Sequence, residues 1–141
     1  MNDVVWNKKE SIERCIRQIR IYYGEGGATP FETDFLRQDA IAINLQRICQ
    51  QAIDLANHLI KTKKLGLPKV SRESFQLLAQ NGIIPHELGA KMAKMVGFRN
   101  TLVHEYQSLD IQLMKDVVEN HLDDLIDLTN FILQACSADD I

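Results

Sequence analysis

The chain has few of the residues that build β-sheets or membrane spans. Only 6% of its 141 residues are aromatic and three are proline, and regular alternation of β-branched with polar residues is absent. No uncharged apolar run approaches the roughly 20 residues of a membrane-spanning helix. These absences argue against a β-rich fold and against a membrane anchor, and they predict a soluble, cytoplasmic protein.

Cysteine is also scarce, and its spacing favours neither metal nor disulfide chemistry. Cys15, Cys49 and Cys136 are widely separated, odd in number and without a C-x-x-C pair. Because free cysteine behaves as a small buried hydrophobe, we expect three reduced core residues. The sequence further lacks a glycine-rich phosphate loop, a metal-ligand cluster and a nucleophile elbow, which argues against a nucleotidyltransferase and against the common hydrolases.

Helix-forming and apolar residues are abundant. Hydrophobic residues make up 45% of the chain, enough at this length for one sizeable core, and the commonest types favour helix over sheet. We predict a single all-α domain over residues 1–141, an up-and-down bundle of four long helices and one short helix. The net charge of −3 hides an asymmetry, since residues 1–103 carry +5 and residues 104–141 carry −8. The asymmetry permits a locally basic face on an acidic protein.

Apolar periodicity and capping residues delimit the helices. The predicted helices cover residues 4–23, 35–63, 71–80, 85–107 and 110–135. Asp34 is a plausible N-cap of the second helix, Ser71 of the third, and Asp110 or Ser108 of the fifth. Pro85 suits the first turn of the fourth helix.

The second predicted helix has the widest apolar face, which belongs in the middle of a bundle. A polar stripe runs along its other side and consists of Asn44, Arg47, Gln51, Asp54 and His58. Such a stripe is ordinarily a solvated face. Alternatively, it borders a functional cleft and helps to hold a ligand, with Asp54 and His58 paired at i, i+4.

The stretch GFRNTLVHEYQ, residues 97–107, carries unusual polar residues for a helix. At about 100° per residue, Arg99 falls at the edge of the apolar stripe, where an unpaired buried charge costs several kcal/mol. Gly97 and Asn100 lie on a second stripe with Ala93 and His104, and Gly97 costs about 1 kcal/mol of helix propensity relative to Ala. Small residues permit close approach of another helix, so we predict a C2 dimer across this face.

Ordinary structural roles exist for each of these polar residues. Arg99 could extend from the core edge to water, His104 could be a surface histidine, and Tyr106 could be a core residue with a solvated hydroxyl. His86 and His121 are predicted at the surface or at helix ends. Periodicity alone does not decide between these roles and a functional site.

The spacing R-x-x-x-x-H-x-Y, from Arg99 through His104 to Tyr106, resembles the signature of HEPN-domain proteins, in particular the HepT-type toxins. The signature follows Gly-Phe and includes Arg-Asn. The resemblance extends to MNDVVWNKKESIERC at residues 1–15, NLQRICQQAIDLANH at 44–58 and SRESFQLLAQN at 71–81. It therefore spans nearly the whole chain.

This resemblance implies a HEPN-like helical bundle that dimerises, with the signature helices of two subunits meeting at a cleft. It implies RNA cleavage without a metal or other cofactor, and an MNT-type nucleotidyltransferase antitoxin that transfers AMP to the toxin. By the same resemblance Arg99 and His104 are catalytic, Asn100 is a supporting residue, and Tyr106 is the residue that is AMPylated.

The chemistry of the residues fits that role independently. Histidine, whose side-chain pKa in water is about 6.5, exchanges protons at neutral pH, and arginine stays cationic and binds phosphate oxygens bidentately. Two alternatives stay open: a non-catalytic HEPN module that binds a nucleotide or a nucleotidyltransferase partner, and a purely structural helical adaptor. The acidic pI of about 5.8 favours the first of these mildly.

Overall fold

The computed structural model describes residues 3–24, 29–104 and 110–139. Over these residues the chain forms six α-helices and one short 3-10 helix, with no strand. They are α1 (Asp3–Gly24), the 3-10 helix (Phe31–Thr33), α2 (Phe35–Lys63), α3 (Ser71–Gln80), α4 (His86–His104), α5 (Ile111–Asn120) and α6 (Leu122–Asp139). The predicted all-α class is confirmed. Within the described ranges, no helix combines the length and the apolarity needed to cross a membrane.

Helix α2 lies at the centre of the bundle and packs against α1, α3, α4 and α6. Both of its apolar seams are buried, as predicted; their members are Ile41, Ala42, Leu45, Ile48, Cys49, Ala52, Ile53, Leu55, Ala56, Leu59 and Ile60. All three cysteines are buried, and none is part of a disulfide. The wide apolar face thus explains why α2, rather than a terminal helix, is the central element.

The junction between α1 and α2 is held by one arginine. The Asp34 carboxylate caps α2 by accepting a hydrogen bond from the Arg37 backbone N–H at 3.2 Å, which confirms the predicted N-cap. The Arg37 guanidinium donates to the backbone oxygen of Tyr22 at 2.8 Å and to that of Thr29 at 3.0 Å. Because a cation that satisfies the last carbonyls of a helix also complements its dipole, Arg37 stabilises the end of α1 and the start of α2 together.

Helices α3 and α4 form a close pair. The start of α3 differs from the prediction, since Val70 occupies the N-cap position and forms no side-chain capping bond. The Glu73 carboxylate instead accepts from the Lys69 N–H at 2.7 Å, ahead of the helix. The predicted end of α3 at Asn81-Gly82 is confirmed, because Gly82 takes a φ of 74° that favours glycine.

The last predicted helix is two helices, which corrects the predicted helix count. The break is at His121, whose backbone leaves helical geometry at φ −124° and ψ −1°. Its ring contacts the Asp116 carboxylate at 3.2 Å and the Asp124 carboxylate at 3.1 Å. Asp110 is the N-cap of α5, as one of the two predicted candidates, whereas Ser108 lies outside the described residues. The apolar stripe persists across the break, so the break was invisible to periodicity.

Candidate functional site

The signature residues occupy the C-terminal half of α4. Arg99 and Asn100 lie in the helix, and His104 is its last residue. The side chain of His104 and all of Tyr106 lie outside the described part of the chain. The geometry of the site is therefore built from Arg99, from Asn100 and from the helix face around them.

Arg99 lies along the interface between α4 and α2. Its side chain is only partly exposed, and its Nε is fully buried without a hydrogen-bond partner among the described residues. Burial raises the pKa of the Cys49 thiol to about 12, and the positive charge of the Arg99 guanidinium acts in the opposite direction. The guanidinium therefore lies near Cys49 of α2. The Cys49 thiol donates to the backbone oxygen of Met95 at 3.9 Å, so the two helices are in direct contact here.

An unpaired donor on Arg99 has an energetic meaning. Leaving a buried polar group without a partner costs about 1–3 kcal/mol, and more when the group is charged. Among the described residues, nothing offsets this cost at Arg99, the only arginine or lysine of the signature.

The neighbouring face of α4 is open. Gly97 and Asn100 are exposed, and no described atom lies within 4 Å of a Cβ built on Gly97. Thr101 donates back to the Gly97 carbonyl at 3.4 Å and remains only partly buried. The small residue at position 97 is therefore not required by packing within the described part of the chain.

The signature does not converge on one side of its helix. Arg99 and His104 are five positions apart and diverge by about 140°, whereas Asn100 and His104 are four apart and share a face. Arg99 turns towards α2 and Asn100 faces solvent. On an ideal helix, positions 99 and 104 therefore do not lie on the same side.

Sequence reasoning missed Gln46 as the residue that contacts the end of α4. Its Nε2 donates to the Leu102 backbone oxygen at 3.4 Å. Gln46 precedes Cys49 by three positions, so it lies on the same side of α2 as the residue that touches Met95. The signal for this contact in the sequence was the position of Gln46, a polar residue at the edge of the apolar face of α2.

The polar stripe predicted on α2 does not border the signature half of α4. Arg47, Gln51 and His58 are roughly 160–200° from Cys49 around the helix, and therefore on the side away from α4. Asp54 pairs with Lys8 at 3.4 Å and accepts from Gln50 at 3.0 Å. These contacts, and not the alternative pairing with His58, are the ones found among the described residues. The remaining member, Asn44, is buried and donates to the Ala40 carbonyl at 2.8 Å.

A groove of about 450 Å³ runs between α4 and α5 beside the signature half. Lys94 and Thr101 line one wall, and Leu113 and His121 line the other. Among the described residues, no group of three or more His, Cys, Asp and Glu side chains is arranged to hold a metal ion.

Comparisons with known proteins show the family to which the chain belongs. The family model described as ribonuclease HepT-like matches residues 12–132, which include α2, α3, α5 and the whole signature helix. The chain belongs to the HepT-like ribonuclease family. The predicted resemblance to HEPN-domain HepT toxins is thereby confirmed.

Two curated relatives lie within the HepT-like family, and one of them covers most of the chain. The mRNA nuclease HepT of Shewanella oneidensis is 47% identical over 124 residues, which are 88% of this chain and 92% of that protein. The tRNA nuclease HepT of Aphanizomenon flos-aquae is 39% identical over 66 residues, covering 47% of this chain and 45% of that protein.

The HepT-like fold is also present in solved complexes. A tri-AMPylated HEPN toxin of Shewanella oneidensis, bound to its MNT antitoxin, superposes with a TM-score of 0.88 at 44% identity, covering 95% of this chain and 99% of that chain. The open face of α4 thus belongs to a chain whose similar structures include a toxin–antitoxin complex.

Proposed function

We propose that this protein is the metal-independent endoribonuclease toxin of a toxin–antitoxin pair, with Arg99 and His104 as catalytic residues. Its family membership and its similarity to two HepT nucleases support ribonuclease activity. The observation that carries the assignment of the site is the open face of α4 around the signature, where Arg99 is partly exposed, Gly97 and Asn100 are exposed, and no packed neighbour among the described residues covers Gly97. In this role the guanidinium binds the phosphate under attack.

The reaction is a transesterification, and a histidine and an arginine are sufficient to assist it. The ribose 2′-oxygen loses its proton and attacks the phosphorus, and the 5′-oxygen gains a proton as its bond to phosphorus breaks. His104 transfers the proton, and Arg99 stabilises the negative charge that builds up on the phosphate oxygens. Asn100, exposed beside them, supports the site by hydrogen bonding to the RNA.

A complete site needs two copies of α4. Because Arg99 and His104 diverge by about 140° on one helix, a C2 dimer would let each cleft combine groups from both subunits. The open face at Gly97 and Asn100 supports this arrangement, since nothing described within the chain occupies it. Sedimentation equilibrium at micromolar concentration should give a dimer, and a stable monomer would contradict the shared cleft.

Cleavage assays test the two catalytic assignments. Arg99→Ala and His104→Ala should each reduce cleavage at least about a hundredfold, because electrostatic stabilisation and proton transfer are each worth roughly that much. Arg47→Ala and His58→Ala are the matched controls, since they remove the same residue types from the side of α2 away from α4. Activity should persist in EDTA.

Other outcomes of these assays point to other functions. Cleavage that survives both signature substitutions would remove Arg99 and His104 from the site. Loss of cleavage in EDTA would require a metal. A wild-type chain that never cleaves RNA but binds a nucleotidyltransferase would be a non-catalytic HEPN module.

Neutralisation is proposed to act through Tyr106, which follows His104 by two positions. An MNT-type nucleotidyltransferase would transfer AMP to the tyrosine hydroxyl, placing an anionic phosphodiester and a bulky adenosine near the site. The similar toxin structure from Shewanella oneidensis is tri-AMPylated. The negative phosphodiester would compete with RNA for Arg99.

Co-expression with the partner tests the modification. Intact mass spectrometry should show added AMP on the wild type and none at position 106 in Tyr106→Phe, which should stay toxic beside the partner. Tyr22→Phe is the control and should be modified and neutralised as usual. An unmodified Tyr106 in a neutral complex would show that the antitoxin works by covering the cleft.

A further inference from the structure

The segment that joins the end of α2 to the start of α3 carries the highest density of positive charge in the sequence. Residues 61–72 hold five of the 16 Lys and Arg residues and no acid, although the chain has a net charge of −3. Lys61, Lys64, Lys69 and Arg72 are exposed, and none forms an ion pair with a residue that the structure describes. We call these four residues the basic platform.

The backbone beneath the basic platform is held in place. Lys64 takes the left-handed conformation at φ 55° and ψ 51°, and its N–H donates to the Ile60 and Lys61 carbonyls at the end of α2. Gly66 has a φ of 147°, and a Cβ built on it would lie 3.3 Å from the Leu77 side chain. The nearest acid, Glu73, is engaged by the backbone of Lys69. The backbone that carries these cations therefore has a defined conformation.

A surface cavity of about 580 Å³ adjoins the basic platform. Its lining includes Lys61, Lys64 and Leu67. Leu67 is 94% exposed, which places an apolar side chain among the cations. This combination suits a polyanion that also presents apolar rings.

We propose that the basic platform is a second RNA-binding site that holds the substrate away from the point of cleavage. The inference rests on RNA as the substrate in the proposed function. Unpaired, exposed lysines favour a phosphate backbone over a protein surface, because Lys is depleted at protein–protein interfaces and dominates counter-ion release from nucleic acid. The absence of an aromatic residue from residues 61–72 implies binding without base stacking, and hence little sequence preference.

About half the length of α2 separates the platform from the signature. Gln46 contacts Leu102 near the end of α4, and Lys61 lies 15 residues further along α2, or ~22 Å at 1.5 Å per residue. A short oligonucleotide cannot reach both places. The platform should therefore assist only long substrates.

Binding of a fluorescein-labelled, mixed-sequence single-stranded RNA tests the proposal in the His104→Ala background. The triple variant Lys61→Gln, Lys69→Gln and Arg72→Gln should bind at least tenfold more weakly, and the slope of log Kd against log salt should fall by about 2, at roughly 0.7 per lost phosphate contact. The matched control removes three exposed or partly exposed positive charges from α1 and α2 as Arg14→Gln, Arg17→Gln and Arg47→Gln. Arg14 and Arg17 share a surface with Glu10 and Glu13, and the control should keep the wild-type slope.

Cleavage kinetics with His104 restored separate binding from chemistry. The triple variant should raise KM for a long RNA with kcat unchanged, and it should cleave a trinucleotide as fast as the wild type. An unchanged affinity for the labelled RNA, or an equal loss in the control, would overturn the proposal. So would a variant that keeps its RNA affinity and loses its antitoxin, since the platform would then be a protein-binding site. A wild-type chain without nuclease activity would refute the proposed function while leaving the binding assay interpretable.

Discussion

The two halves of α4 contain one glycine each, and the two glycines have opposite surroundings. A Cβ on Gly89 would lie 3.2 Å from the Ala79 Cβ and 3.3 Å from the Phe75 carbonyl oxygen of α3, whereas no described atom lies within 4 Å of a Cβ on Gly97. Gly89 is explained by close helix packing inside the chain. Gly97 has no such explanation, and it lies in the half that carries Arg99 and Asn100. Both halves of α4 contribute to the core, but only the second half also has an open face beside the signature.

The largest expected effect is on kcat, and it distinguishes Arg99 in the second half of α4 from Lys91 in the first half. Arg99→Lys keeps the charge and loses the planar fork, so kcat should fall roughly tenfold to a hundredfold if the guanidinium binds two phosphate oxygens in the transition state. Lys91→Arg, in the packed half, should leave kcat near the wild-type value because Lys91 already pairs with Glu87 and Asp124. Full activity in Arg99→Lys would reduce the role of Arg99 to that of a point charge.

Adding volume at position 89 should damage the fold. Gly89→Val forces its side chain into Ala79 and the Phe75 backbone, which should lower the free energy of unfolding by about 1–3 kcal/mol. Chemical denaturation measures the loss. The surviving folded protein should cleave RNA normally, and equal stability would mean that α3 and α4 are further apart than described.

The comparison of the two glycines predicts that a small side chain at position 97 raises the stability of the protein, whereas added volume at position 89 lowers it. Gly97→Ala removes a helix-weakening glycine without a described clash, so it should stabilise α4 by about 0.8–1 kcal/mol. Gly97→Leu should in turn weaken self-association and RNA cleavage, because bulk there would prevent close approach of a second α4. Normal dimerisation of Gly97→Leu would move the interface to another face.

The smallest effect tests the core beside Arg99. Burial raises the pKa of the Cys49 thiol from 9.0 to about 12, so the protonated thiol is favoured by folding. The contribution to stability is present below pH 9 and is lost as the pH rises from 9 towards 12. Cys49→Ala should flatten that part of the stability profile. Alkylation of native protein at about pH 8 should leave Cys49 unmodified because the thiolate is the reactive form, and rapid modification would show that the α2–α4 interface opens readily.

The apolar pattern was sufficient to predict where most helices lie and which sides they bury. Helix α2 begins at Phe35 and ends at Lys63 as predicted, since period and caps are properties of neighbouring residues. The break at His121 was not predicted, because Asp116 and Asp124 contact its ring without disturbing the apolar stripe.

By itself the sequence determined the helical class, the buried seams of α2 and the family signature, because each depends on the spacing of residues close together in the chain. Only the tertiary structure decided that the Arg99 Nε is buried beside Cys49 without a described partner, that Gln46 rather than the predicted stripe contacts the end of α4, and that Gly97 is open. The reason is physical: burial, pairing and free space depend on which distant helix packs alongside, and helical periodicity gives the direction of a side chain but not its neighbour.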